Sequence, residues 1–177
     1  CQNCSITLRK VARIIVRDYD AKGYGLATLE DLSKGQFVYE YVGELICDKE
    51  MIKRMGDARL KRHLYMMQLK HGVFLDARFK CNKSRFINHS CEPNCHVEVW
   101  TVKGRLRVAI FALKAIPADT ELTFDYQWSV SDRGLTVCRC GTKSCRGYLE
   151  VVSEEEVAHL KHKTGIWCSA EDTMNNF

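Results

Sequence analysis

Apolar residues recur along the chain in short blocks separated by turn-forming residues. RIIVR at 13–17, QFVYEYV at 36–42, LYMMQL at 64–69, HVEVWTV at 96–102 and LRVAIFAL at 106–113 are β-branched or aromatic-rich. Several alternate apolar with polar, the period of a half-buried strand. Lys103-Gly104 separates two of them and predicts a hairpin turn. Two stretches have helical spacing instead. Over 48–63, Asp48 can cap the start, and Met51, Met55 and Ala58 recur on one face. Over 153–164, Ser153 and Glu156 form a capping box, Glu154 and Glu155 occupy the first turn, Lys161 and Lys163 the last, and Gly165 stops the helix. Its apolar stripe is only Val157 and Leu160, which suits a tail docked on the body; contact with a partner is the other reading. The tail after Gly165 gives no signal. The pattern predicts a mostly β (α+β) chain of short strands with one internal and one C-terminal helix.

Composition narrows this to one globular domain. The chain has 177 residues, 46% hydrophobic and 28% charged, which excludes a disordered or fibrous chain. Its longest apolar run, VAIFAL at 108–113, is too short to cross a bilayer, and no secretion signal is evident. There are two prolines, Pro93 and Pro117, and no repeat or low-complexity tract. The net charge of +5 is uneven: residues 150–177 hold six acids against two lysines, net −4, so the first 149 carry +9. A basic body fits an anionic partner such as nucleic acid or chromatin, or is simply a solvated surface.

Ten cysteines in a chain without a secretion signal favour metal binding over disulfides. Cys138, Cys140 and Cys145 form C-x-C-x4-C, and a turn at Gly141 can swing three thiolates onto one cation. A structural zinc site takes four ligands, so a fourth must come from elsewhere, and Cys91 and Cys95 are the candidates. On this motif alone a zinc knuckle that binds nucleic acid is the other reading. Cys1 and Cys4 fit the remainder of an upstream metal cluster. Cys47, Cys81 and Cys168 are isolated, and buried apolar filler is the expectation for each.

Four segments then combine in order: Gly23-Tyr24-Gly25, RFINHSCEPNC at 85–95, ELTFDY at 121–126 and CRCGTKSC at 138–145, with EYVGE at 40–44 in step. From about Gly23 to Leu149 the chain resembles the SET-domain lysine methyltransferases. The resemblance implies a SET fold: several small curved sheets, RFINHS threaded as a pseudoknot, and a zinc-bound post-SET segment. It divides the chain into the end of a cysteine-rich pre-SET segment with a lead-in strand (1–21), the SET domain (22–128), the post-SET loop and zinc segment (129–149) and a C-terminal helical extension (150–177). It implies S-adenosylmethionine as methyl donor, and zinc on Cys91, Cys138, Cys140 and Cys145, leaving Cys95 structural. SRFINHSCEPNC, WTVKGRLRV, ELTFDYQW and CRCGTKSCRGYL are most similar to the class that methylates lysine thirty-six of histone H3. Members of that class carry a zinc segment before the SET domain. Cys1 fits its last cysteine, so that second cluster would lie upstream and leave Cys1 without partners.

By the same resemblance Tyr126 is the catalytic tyrosine and Tyr65 a second channel tyrosine. Phe124 sets how many methyl groups fit, and phenylalanine there implies di- or trimethylation. Met67 and Trp128 are further channel-wall candidates. Lys22, Gly23, Tyr24, Gly25, Tyr65, Arg85, Phe86, Asn88 and His89 would hold the donor, with Asn88 on its amino group and the His89 main chain on its adenine. His89 itself is expected to be packed and hydrogen-bonded, and His63, His71, His96, His159 and His162 to lie on the surface or in packing. The loop Gln127–Val137, with a turn at Asp132, Arg133 and Gly134, is expected to cover the channel until a nucleosome binds. The implied partners are histone H3 and the nucleosome, with DNA contact through the basic body. The implied setting is nuclear chromatin, and the implied entity the monomeric catalytic domain of a larger protein. A catalytically silent SET module acting as a chromatin scaffold, or a methyltransferase for a non-histone protein, is the alternative.

Overall fold

The computed structural model describes residues 2–57, 65–128 and 136–150. Cys1, His63, Cys168, the end of the helix expected over 48–63, the turn at Asp132–Gly134 and the helix expected over 153–164 lie outside the described residues.

The long alternating segments become strands. In chain order these are β1 (Ile14–Asp18), β2 (Tyr24–Thr28), β3 (Phe37–Tyr41), β4 (Glu44–Cys47), β5 (Met66–Lys70), β6 (Val73–Asp76), β7 (Asn88–His89), β8 (Cys95–Val102), β9 (Arg105–Ala112) and β10 (Glu121–Phe124). A short helix α1 (Gln2–Thr7) opens the described chain, and α2 (Asp48–Gly56) follows β4. The strands form three small sheets, ordered β1-β2-β10-β7, β3-β9-β8 and β4-β6-β5. β8 and β9 make the longest ladder, from Cys95 opposite Ala112 to Val102 opposite Arg105. Lys103 and Gly104 turn it with both φ positive (50° and 73°), the twist of a type I′ hairpin.

The sheets close on one core of Leu26, Val38, Cys95, Ile110 and Leu122, all buried. A smaller cluster joins Ile6 of α1 to Phe37, Val102 and Phe111. The main core matters for function because β10 lies in it. β10 pairs antiparallel with β2 at Leu122–Leu26 and parallel with β7 at Thr123–Asn88 and Phe124–His89. Three segments far apart in sequence, 22–25, 85–89 and 121–126, are thereby brought side by side. This architecture of small β-sheets with few helices is the one expected.

Two helix expectations are corrected. Asp48 does not cap α2: Cys47 is the N-cap and makes no side-chain cap bond, while Asp48 sits in the first turn, where its charge suits the helix dipole. The helix ends at Gly56, and Asp57 is already extended (ψ 111°). Glycine has poor helix propensity, and here it ends the apolar spacing one turn after Met51. Arg54 on α2 ties the helix to the third sheet, donating to Glu50 (2.8 Å), Glu44 (3.1 Å) and the fully buried Asp76 (2.8 Å), which Arg78 also pairs (3.0 Å). Burial works against charge on Asp76, but the two guanidiniums outweigh it and lower its carboxyl below the usual range. Among the described residues no helix is long and apolar enough to cross a membrane.

Candidate active site and metal cluster

The turn Asp20–Lys22 delivers the chain through Gly23, where φ is +71°, into β2. Gly25 then packs so closely that a Cβ there would lie 2.6 Å from the Tyr19 ring and 2.8 Å from the Asn88 amide. Asn88 donates to Glu121 Oε1 (2.9 Å) and to the Tyr24 carbonyl (3.4 Å), and Lys22 pairs with the other oxygen of Glu121. Phe86 meets the exposed Tyr24 ring edge-on at 6.2 Å. The residues expected to hold a donor, from Lys22 to Gly25 and from Arg85 to His89, thus form one corner. Glu121, first residue of ELTFDY, is its unforeseen brace. Changing Gly25→Ala should lower stability by about 1–3 kcal/mol through overpacking and weaken donor binding; thermal melts with and without donor check both.

Beside this corner, Tyr41, Tyr65, Met67, Phe124, Tyr126 and Trp128 line a cavity of about 590 Å³. Tyr126 is held from both ends. Its hydroxyl donates to the Ile87 carbonyl (2.8 Å), and its backbone N–H donates to His89 Nδ1 (3.2 Å). Its ring lies 5.0 Å from Phe124 and 5.4 Å from both His89 and Trp128. Tyr41 meets Phe124 edge-on at 6.4 Å. Burial raises the phenols of both Tyr126 and Tyr41, so each stays protonated and able to donate near neutral pH. Arg85 stacks its guanidinium 4.1 Å from the Tyr65 ring. Tyr41 belongs to EYVGE, and that motif was its one sequence signal.

His89 accepts at Nδ1, so Nε2 carries the proton, pointing at Cys91 Sγ 3.3 Å away. Burial lowers its pKa and keeps the ring neutral. It is a packed, bonded histidine, as expected.

Cys91, Cys138, Cys140 and Cys145 converge, their sulfurs all within 4.8 Å of one another. Cys91 stands 3.8 Å from Cys138 and 4.0 Å from Cys145. A tetrahedron of zinc–sulfur bonds of about 2.3 Å has an edge of about 3.8 Å, so the residues fit a zinc ion. A small hairpin carries three of them, closed by Cys138 N to Gly147 O (2.8 Å) and Leu149 N to Thr136 O (3.0 Å), with Gly141 at φ +71°. Backbone N–H groups of Arg146 and Gly147 point at Cys91 and Cys145 sulfur (3.4 Å each), the outer-shell bonds metal thiolates use. Burial raises the Cys91 and Cys138 thiols. At Cys140 burial also raises, but bonds from Thr142 and neighbouring groups outweigh it and bring the thiol to about 6.

Cys95 is not in the cluster. It is fully buried on β8, its thiol pushed up to about 12 by burial. Two other cysteine expectations are corrected: Cys47 and Cys81 are exposed, because Cys47 ends β4 at the start of α2 and Cys81 lies on the turn before 83–86. Cys4 is exposed as well.

Comparison with known proteins extends this geometry. The SET-domain family pattern matches residues 23–127. The chain is 44% identical over 151 residues to human histone-lysine N-methyltransferase SETD2, covering 84% of this chain and 6% of that protein. It is 44% identical over 154 residues to mouse histone-lysine N-methyltransferase NSD3, covering 85% and 11%. It is 41% identical over 160 residues to the H3 lysine-36 specific histone-lysine N-methyltransferase of Yarrowia lipolytica, covering 89% and 21%. The chain therefore spans a small part of each of these relatives.

Proposed function

This chain belongs to the SET-domain family, and on that premise we propose that it is a protein-lysine N-methyltransferase. It uses S-adenosylmethionine to methylate histone H3 in nucleosomes, at the lysine-36 position, to the di- or trimethyl state. The observation that carries this reading is the meeting of the donor corner, the aromatic cavity and Tyr126 along β10 and the residues that follow it. Its setting is nuclear chromatin, and the basic body gives it an affinity for nucleosomal DNA.

The donor corner suits S-adenosylmethionine. Gly25 lets main chain and Asn88 approach closely, and Tyr24 and Phe86 offer ring surface; Lys22, Gly23, Arg85, His89 and Tyr65 are the further residues we assign to the donor. When bound, the donor supplies a methyl group on a sulfonium, open to displacement by a neutral amine. This chain's residues prepare that amine. In water a lysine holds its proton with a pKa of about 10.4. The ring-lined cavity desolvates it and disfavours the ammonium, and the proton passes to solvent. Because the Tyr126 hydroxyl gives its hydrogen to Ile87, its oxygen lone pairs remain to orient the amine. The Phe124 ring, buried against Tyr41 and Tyr126, bounds the room for added methyl groups. Changing Phe124→Tyr adds a hydroxyl there and is expected to stop the product at monomethyl-lysine. The zinc cluster holds the hairpin that forms the neighbouring wall.

The test is mass spectrometry of recombinant nucleosomes after incubation with the protein and donor, with Tyr126→Phe as control. Methylated H3 lysine 36 in the first sample alone supports the reading. Donor binding without transfer to any histone would favour a silent scaffold or a non-histone substrate.

A further inference from the structure

Asp125 and Arg146 stand on opposite sides of the junction between the catalytic segment and the cysteine hairpin. Asp125 immediately precedes Tyr126 and lines the cavity. Arg146 immediately follows the ligand Cys145. The two form a bidentate pair, Nη1 to Oδ2 at 2.7 Å and Nη2 to Oδ1 at 2.9 Å.

Each partner is tied into its own side. Arg146 donates its backbone N–H to Cys91 sulfur (3.4 Å) and Nη2 to the Leu149 carbonyl (3.4 Å), so it moves with the cluster. Asp125 Oδ1 accepts the N–H of Gln127 at 3.1 Å. Gln127 has φ +50°, a left-handed conformation that costs a non-glycine residue roughly 1–2 kcal/mol. The Asp125 carboxylate therefore fixes a strained turn immediately after Tyr126. His89 Nδ1, which accepts the Tyr126 N–H, also lies 3.5 Å from Asp125.

We propose that Arg146 and Asp125 are positioning residues for the transfer reaction, a latch that registers Tyr126 against the metal-bound hairpin. This rests on the reading of Tyr126 as the residue that orients the amine. The pair is partly exposed (32% and 23%), so solvent screening leaves it little stabilising weight. Its use is geometric: a planar guanidinium holding both carboxylate oxygens fixes distance and angle together, which a lysine cannot do. The latch also cancels a carboxylate on the cavity wall, where a bare negative charge would favour the ammonium over the amine.

The test compares Arg146→Gln, Arg146→Lys, Asp125→Asn and the Arg146→Gln/Asp125→Asn double variant. It reads zinc per chain, steady-state kinetics, and fluorine NMR of fluorotyrosine-labelled protein, with the Tyr126 resonance assigned by Tyr126→Phe. Displacements near 1 Å cost up to about 100-fold in rate, so single variants should lose about 10- to 100-fold in kcat. Donor KM should stay within about two-fold and zinc should be retained. The double variant should be no worse than the poorer single one, Arg146→Lys should recover only part of the rate, and the Tyr126 resonance should broaden or split. Wild-type kcat in Arg146→Gln, additive losses, full recovery in Arg146→Lys, or loss of zinc in every variant would each overturn the proposal. If the unaltered protein methylates no histone, the functional reading fails separately. The Tyr126 resonance then decides: perturbed in the variants it supports the latch, unchanged it overturns it.

Discussion

Changing Tyr126→Phe is expected to lower kcat for methyl transfer by about 100- to 1,000-fold, the range for losing one oriented polar group at a reacting centre. The replacement keeps the ring, so contacts with Phe124, His89 and Trp128 persist. The backbone bond from Tyr126 N–H to His89 persists too. What goes is the hydroxyl and its bond to Ile87, worth about 1 kcal/mol of stability. A small change in melting temperature with a large loss in kcat and unchanged donor affinity is therefore the expected signature. The pH profile adds a second check. Burial raises the Tyr126 phenol, so it is not the group that titrates as activity rises from neutral toward alkaline pH. The rise belongs to the substrate amine losing its proton, and it should survive in Tyr126→Phe with the same midpoint. A midpoint that moves would make Tyr126 a base; an unchanged kcat would remove it from the site.

That a single substitution can be placed so closely reflects which parts of the fold the sequence exposes. β8 and β9 were legible because eight-residue strands alternate long enough to show a period. β4 and β6 have four residues each, too few for a period, and are held by pairing with each other rather than by propensity. β2 was hidden because Gly25 and Ala27 are weak strand formers; its neighbours β1 and β10 recruit it from both sides. The site followed the same division. Contiguous motifs singled out Tyr126, Phe124 and Asn88, whereas the contacts of Tyr41, Glu121 and Arg146 depend on partners far off in sequence. Cys91 and Cys95 were indistinguishable by spacing. What separates them is that Cys95 lies on β8 with its thiol in the core. Cys47 and Cys81 failed as filler for the converse reason: an isolated cysteine carries no record of what will cover it.

Removing metal from the four-cysteine cluster is expected to abolish methyl transfer while leaving the three sheets folded. The hairpin at 136–150 makes a few backbone bonds and is largely half-exposed, so it has little core of its own to hold it. Structural zinc sites contribute about 10–16 kcal/mol of apparent binding energy, far more than those bonds. Without the ion, four close thiols have no bond to hold them together, and the hairpin should open. Opening removes Arg146 from Asp125 and Arg139 from the Ala21 carbonyl (3.1 Å), two of the contacts through which the hairpin reaches the Tyr126 segment and the donor corner. Cys140→Ser should therefore lose its zinc by elemental analysis and at least about 100-fold in kcat, as displacement near a reacting centre does. Its strand signature in circular dichroism should persist, and Cys47→Ser, at an exposed thiol away from the cluster, should behave as wild type. Protonation sets the sign of the pH effect. A free cysteine thiol is protonated at neutral pH, and burial in the closed hairpin raises Cys91 and Cys138 further, so both must ionise to bind. Zinc uptake should accordingly release at least two protons per ion, and affinity should fall as pH is lowered. Uptake without proton release, or full activity in a chelator-treated sample shown to be zinc-free, would mean that the cluster plays no part in holding the site.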